Sequence, residues 1–221
     1  MNRTKTFKIA LIAVMSALSV ALYLFAKFSL PFLFPTFLDI QISDLPAFIT
    51  TFMLGLPSGF TVLLIKILIK LPFTGTSFIG EFIDLIIGFS YILPAGIIYK
   101  KNKTFKGAFL SIILGTVSCI VTAMLINRFV AIPLYVKVIF DGNWNILLSM
   151  MSELFPNITR ENFYNYYIWL SILPFNLLRC MIINILTLLL YKKLSRLFKY
   201  LVDKEPQNLS TTSNNNTGEK S

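Results

Sequence analysis

The sequence predicts an all-α, polytopic membrane protein: a six-transmembrane-helix bundle with a short helix 2/helix 3 hairpin and a capping loop after helix 1. Three observations predict it. Hydrophobic residues fill 56% of the 221 positions and charged residues only 14%, against about 45–50% and about 25% in soluble domains. The roughly 124 apolar positions suffice for six spans of ~20 residues each. The placement of the basic residues then requires an even number of crossings before the lysine cluster at 100–106.

Helix 1 is the apolar run from Phe7 to about Phe28, preceded by Arg3, Lys5 and Lys8. It is too long for a signal-peptide core and has no small-residue cleavage site after it, so it is read as a retained span. Residues 29–43 are aromatic but interrupted by Pro31 and Pro35, which suits a loop on the membrane surface better than a helix. The run 44–71 contains Gly55-Leu56-Pro57-Ser58-Gly59 at its centre. If the N-terminus and Lys100, Lys101, Lys103 and Lys106 are all cytoplasmic by the positive-inside rule, this run must supply two helices, 44–55 and 57–71. Helix 4 follows over Phe78–Tyr99, helix 5 from Phe105 to about Tyr135, ending near Pro133, and helix 6 from about Tyr164 to Lys199. Residues 137–163 form a polar outer loop with room for a short amphipathic turn. The membrane domain is thus 1–202. The polar, low-complexity stretch 203–221 cannot bury a core and is expected to be a disordered cytoplasmic tail.

On this topology 13 of the 20 basic residues are cytoplasmic and seven of the ten acids face outward. The net charge of +10 is therefore an orientation signal, and no nucleic-acid partner is expected. The absence of histidine removes His-based triads and the usual zinc and haem ligand sets. Cys119 and Cys180 lie in apolar runs and are read as buried packers. No Walker loop, HExxH, activated nucleophile or metal-ligand cluster is present, so no enzyme, metal or cofactor is expected. There is also no inverted repeat of the kind a self-contained transporter uses, so any solute movement must draw its energy from other subunits.

Six charged residues fall in or at the edge of spans: Lys66, Lys70, Glu81, Asp84, Arg128 and Arg179. A charge at the centre of a span costs ~2.5–3.5 kcal/mol on insertion scales, so such residues usually face a bundle interior or a polar cavity. Lys66 and Lys70 lie near a helix end and are expected to snorkel. Glu81 and Asp84, three residues apart, share one face of helix 4, although first-turn acids also complement a helix dipole. Asn127, and Asn176 with Arg179, lie at similar outer depth on helices 5 and 6. Asparagine in a span is often interhelical glue, but together these groups supply the donors and acceptors that orient a flat, amide-bearing ligand. Phe32, Phe34, Phe37, Tyr164, Tyr166, Tyr167 and Trp169 read first as an interfacial belt, which leaves room for ring stacking on a ligand. Ala13, Ala17 and Ala21 repeat every four residues on one face of helix 1, a pattern that permits close helix approach, within the bundle or to a partner subunit.

Taken in order, Asp39-Ile-Gln-Ile-Ser-Asp-Leu-Pro-Ala47, Ile65-Lys66, Gly80-Glu81 with Gly88, Tyr99–Ala108, Asn127 followed by Pro133-Leu-Tyr135, and Leu173-Pro-Phe-Asn-Leu-Leu-Arg179 resemble the substrate-binding S components of energy-coupling factor (ECF) transporters, most closely the riboflavin-specific type. The resemblance covers residues 1–200. It implies an outward-facing pocket capped by the loop after helix 1 and lined by helices 4, 5 and 6, with riboflavin as transported ligand. In its terms Asn127, Asn176 and Arg179 hold the amide-bearing edge of the flavin; Glu81, Asp84 and Asp44 are the further ligand-binding candidates of this sequence. It further implies that Ala13, Ala17 and Ala21 dock on a transmembrane coupling (T) subunit driven by two cytoplasmic ATPases, in a bacterial cell membrane with both termini cytoplasmic. The chain departs from the family where lysine is usual at Arg179, tyrosine at Arg128 and a neutral amide at Asp84. Two other readings stand beside this one: an S component for another small vitamin or nucleobase-like ligand, and a non-transporting structural membrane protein. The topology itself is tested by replacing Ser58 with cysteine: a membrane-impermeant thiol reagent should reach it from the cytoplasmic side, and labelling only from outside contradicts the arrangement.

Overall fold

The computed structural model describes the backbone of residues 3–203 and the side chains of 5–190; the expected tail lies outside them apart from Asp203. Helix α1 (Arg3–Phe25) contains neither glycine nor proline. After it the chain forms a small antiparallel hairpin, β1 (Lys27–Ser29) with β2 (Asp39–Gln41), in the register Phe28 opposite Ile40. Sequence reading expected an irregular loop here. The hairpin pairs main-chain groups that would be costly to leave open at a membrane surface, and Ser29 Oγ donates to Asp39 Oδ1 at 2.5 Å. Phe34 and Ile40 are buried against Phe175, with the Phe34 and Phe175 rings edge to face at 5.4 Å, so the capping segment is clamped to the last helix. Ser19 Oγ also donates to the Ser43 carbonyl.

The run 44–71 does split. Helices α2 (Leu45–Leu54) and α3 (Leu56–Lys70) are separated by Gly55, whose φ of +94° is open to glycine and strained for other residues. Pro57 lies in the first turn of α3, where its missing N–H leaves no bond unmade. The two helices lie so close that a Cβ on Gly59 would fall 1.9 Å from Thr51 Oγ1. At ten residues, α2 is only about 15 Å long. It is a short helix buried on all faces over Leu45–Thr51, while five other helices among the described residues are long and apolar enough to cross a membrane.

Those five are α1, α3 with its 3-10 extension Leu71–Phe73, α4 (Ile79–Lys101), α5 (Phe105–Ile139) and α7, which spans Phe163–Leu190 and runs on to Asp203. Helix α5 is regular over Phe105–Ile126 and starts at Thr104, whose hydroxyl accepts from the Gly107 N–H at 3.1 Å. It does not stop near Pro133. Two π-helical segments, Asn127–Ala131 and Tyr135–Ile139, flank the turn Ile132–Leu134 and carry the helix to Ile139. Such local widening re-pairs the carbonyls that a proline leaves free. The expected amphipathic turn of the outer loop is α6 (Trp144–Ser152). Helix α7 starts at Phe163, passes through a third π segment, Tyr166–Ile172, and continues as Leu173–Asp203.

Lys66 and Lys70 do not snorkel. They are 1% and 7% exposed and point into the bundle, because two carboxylates wait there. Lys66 Nζ bonds Asp44 Oδ1 at 2.6 Å and Asp84 Oδ2 at 3.0 Å. Lys70 Nζ reaches Asp84 Oδ2 at 3.4 Å and sits 4.4 Å from the centre of the Tyr23 ring. Arg179 bonds Asp44 directly and lies 3.5 Å from Asp84 Oδ1. Three cations and two carboxylates thus join the start of α2 to α3, α4 and α7.

Candidate functional site

Above this network lies a cavity of about 560 Å³, within the range of about 300–1,000 Å³ typical of small-molecule sites. The end of α1, the capping segment, the end of α3 and the chain from Phe73 to Arg179 all contribute to its wall. The capping segment supplies Phe37, Asp39 and Gln41; the approach to α4 supplies Phe73 and Thr76; and the outer segment supplies Phe140, Leu147 and Met150. Its polar side chains come chiefly from α4, α5 and α7.

Five of the six residues that sequence reading placed at a ligand line this cavity: Glu81, Asp84, Asn127, Asn176 and Arg179. Asp44 is not among the lining residues; it lies behind them, 1% exposed, bonded to Lys66 and Arg179. Glu81 and Asp84 share a helix face as expected, yet their surroundings differ. Asp84 is tied to three cations. Glu81 Oε2 instead accepts from the hydroxyls of Thr74 at 2.8 Å and Thr76 at 3.0 Å, an arrangement that satisfies a buried carboxylate without an ion pair.

The two asparagines play unlike parts. Asn127 Nδ2 donates to the Ala123 carbonyl at 2.8 Å, and its Oδ1 accepts from the Tyr167 hydroxyl of α7 at 2.9 Å. It therefore joins α5 to α7 as well as facing the cavity, with one amide hydrogen left. Asn176 Nδ2 donates to the Ile172 carbonyl of its own helix at 2.9 Å. Its Oδ1 and second amide hydrogen make no hydrogen bond among the described residues. At 3% exposure, a carboxamide left half-used on a cavity wall is suited to a polar ligand.

The π segments help to place these groups. Asn127 opens one and Tyr167 lies in another, and widened turns of this kind are frequent at functional sites because they re-aim side chains. Tyr167 was grouped with an interfacial belt, but it is 1% exposed, stacked on Phe163 at 5.3 Å and 6.0 Å from Phe37. Phe32 and Trp169, at 72% and 60% exposure, do fit a belt. Thr76, Gln41, Tyr135 and Lys70 also line the cavity and were not picked out from sequence as site residues. For Thr76 the available signal was the Thr74-Gly75-Thr76 step seven to five residues before Glu81; Gln41 and Tyr135 lie in the motifs that carry the resemblance, and Lys70 is an in-span charge. Arg128 is exposed and is not among the lining residues; its guanidinium lies over Tyr164 at 5.3 Å.

On α1 the inward positions are Met15, Ser16 and Ser19. Ala13, Ala17 and Ala21 are exposed. Among the described residues, nothing covers their small-residue face.

The chain is similar to Riboflavin transporter RibU of Staphylococcus aureus (strain TCH60), with 29% identity over 199 residues, covering 90% of this chain and 96% of the relative. It is 31% identical over 198 residues to Riboflavin transporter RibU of Streptococcus thermophilus, covering 86% and 84%. To Riboflavin transporter FmnP of Bacillus subtilis (strain 168) it is 26% identical over 193 residues, covering 86% and 93%. Among solved structures it resembles one described as "Structure and mechanism of the S component of a bacterial ECF transporter", with a TM-score of 0.66, 28% identity, and coverage of 88% of this chain and 99% of the other. The family model described as "ECF transporter, substrate-specific component" matches residues 7–191, and this multi-pass membrane chain belongs to that family.

Proposed function

We propose that the chain captures riboflavin for an ECF importer. The observation that carries this reading is the pair of carboxamides, Asn127 and Asn176, on the wall of a 560 Å³ cavity, with Asn176 keeping an acceptor and a donor unused. A flavin ring is flat, largely apolar, and bears along one edge alternating carbonyl acceptors and an N–H donor. That edge pairs with carboxamides, which offer both functions in one group, while Phe37, Phe140 and Tyr167 provide apolar surface. The riboflavin transporters among its relatives support the same ligand. In this reading Arg179 presents its free guanidinium edge to the ligand, Glu81 and Asp84 shape the opposite wall, and Asp44 acts through Arg179 and Lys66. Residues 1–202 work as one membrane domain with both termini cytoplasmic, a placement supported by the basic residues at 3–8 and 100–106.

Uptake needs an energy source that this sequence does not carry, and the reading assigns it to a T subunit with two cytoplasmic ATPases. The exposed face Ala13, Ala17, Ala21 is the proposed contact with the T subunit, since small residues let two helices approach closely in a bilayer.

Two measurements test these assignments. Purified in detergent, the protein should quench added riboflavin fluorescence. Asn176→Ala should weaken that binding about tenfold or more, the effect of leaving a buried ligand group unpaired, with unchanged thermal stability of the ligand-free protein. Arg179→Ala should lower both, because it also breaks the ion network. Absence of quenching by the parent protein contradicts the ligand; a stability loss in Asn176→Ala equal to that in Arg179→Ala contradicts its role. For the partner face, Ala17→Trp should abolish riboflavin uptake by cells while the purified variant binds riboflavin as before, and unimpaired uptake would remove α1 from the interface.

A further inference from the structure

Arg128 of α5, Trp144 at the start of α6, Arg160 in the loop after it and Tyr164 at the start of α7 form a chain of contacts that the ligand cavity does not use. The Arg128 guanidinium lies over the Tyr164 ring at 5.3 Å. Tyr164 meets Trp144 edge to face at 6.3 Å, and the Arg160 guanidinium lies over Trp144 at 5.0 Å. Both arginines are exposed, and among the described residues neither pairs with a carboxylate, although Asp141, Glu153 and Glu161 lie in the same outer segment. Because the Tyr164 and Trp144 rings touch, the two guanidinium groups flank one aromatic pair. Each guanidinium lies within cation–π distance of a ring, a contact that leaves N–H groups available to an oxyanion.

Depth identifies the anion. Lys106 and Arg128 are twenty-two residues apart on α5, about 33 Å along the axis at helical rise, close to the ~30 Å of a hydrocarbon core. With Lys106 at one boundary, Arg128 stands at the other, level with the lipid phosphates. Phe129 beside it is 66% exposed and Leu125, one turn deeper, 54%, which marks this flank as facing acyl chains.

We propose that Arg128, Arg160 and the Tyr164 hydroxyl form a headgroup site for an anionic phospholipid of the outer leaflet. The lipid phosphate accepts from the two guanidinium edges while its acyl chains run down past Phe129 and Leu125. This site rests on the membrane placement of α5 and not on the identity of the transported ligand.

Trp144 reports on it directly. In a Trp169→Phe background it is the remaining tryptophan of the two, and the full chain can be placed in phosphatidylcholine nanodiscs doped with acyl-brominated lipid. Brominated phosphatidylglycerol should quench Trp144 at lower mole fraction than brominated phosphatidylcholine, by about fivefold for each arginine, and Arg128→Gln/Arg160→Gln should erase the preference. Because the ratio of the two lipids is read within each variant, a general loss of intensity does not mimic the effect. Gel filtration and retained riboflavin quenching show that the double variant is folded. Equal quenching by the two lipids in the parent protein, or an undiminished preference in the folded double variant, overturns the proposal. So does a preference abolished by inorganic phosphate but not by chloride of equal ionic strength, which assigns the site to a free anion.

Discussion

The interaction on which the rest of the structure depends is the buried ion network of Asp44, Lys66, Lys70, Asp84 and Arg179. Each of these charges is costly inside a membrane domain, and removing one partner from such a group strands the others, typically at about 3–5 kcal/mol. The network also does what apolar packing in lipid does poorly. Lipid tails are as apolar as leucine, so hydrophobic contact gives little reason for one helix arrangement over another. Directional bonds from α3 to Asp44 and Asp84, and from α7 to the same two carboxylates, fix which faces of four helices meet. The short α2 helix depends on it most, since it has only ten residues and is anchored just before its first residue by Asp44.

The cavity follows from that constraint. Arg179 and Asp84 belong both to the network and to the cavity wall, so the geometry that holds the helices also sets the spacing between polar groups facing a ligand. Above them, the π segments of α5 and α7 bring Asn127 and Tyr167 into contact, and the Phe34–Phe175 contact holds the capping hairpin against α7. A site assembled this way is largely formed before its ligand arrives, which reduces the ordering cost of binding. Such preorganisation suits a component whose task within an ECF transporter is substrate recognition.

Much of this was legible in the sequence, and the failures have physical reasons. The split of the 44–71 run followed from charge counting and from Gly55 with Pro57. Asn127, Asn176 and Arg179 stood out because a bilayer alone does not account for them. Lys66 and Lys70 were misread because snorkelling is a one-helix argument, whereas their partners Asp44 and Asp84 come from other helices. The strands of the capping hairpin, three residues each, are too short to show alternation, and the prolines between them mask the pairing. Helix α5 outran its expected end because the π segments that accommodate Pro133 leave no composition signal. Tyr167 looked like a belt residue because its neighbours Tyr164, Tyr166 and Trp169 have the same chemistry, and only the helix phase separates the buried ring from the half-buried tyrosines and the exposed tryptophan.

A double-mutant cycle on Asp44 and Lys66, read as the unfolding of the ligand-free protein in detergent, tests the central claim most directly. Asp44→Ala and Lys66→Met alone should each destabilise strongly, and together by less than their sum, with a coupling on the order of 1–3 kcal/mol. Effects that add, or single variants as stable as the parent, would show that the helices are held by something other than this network.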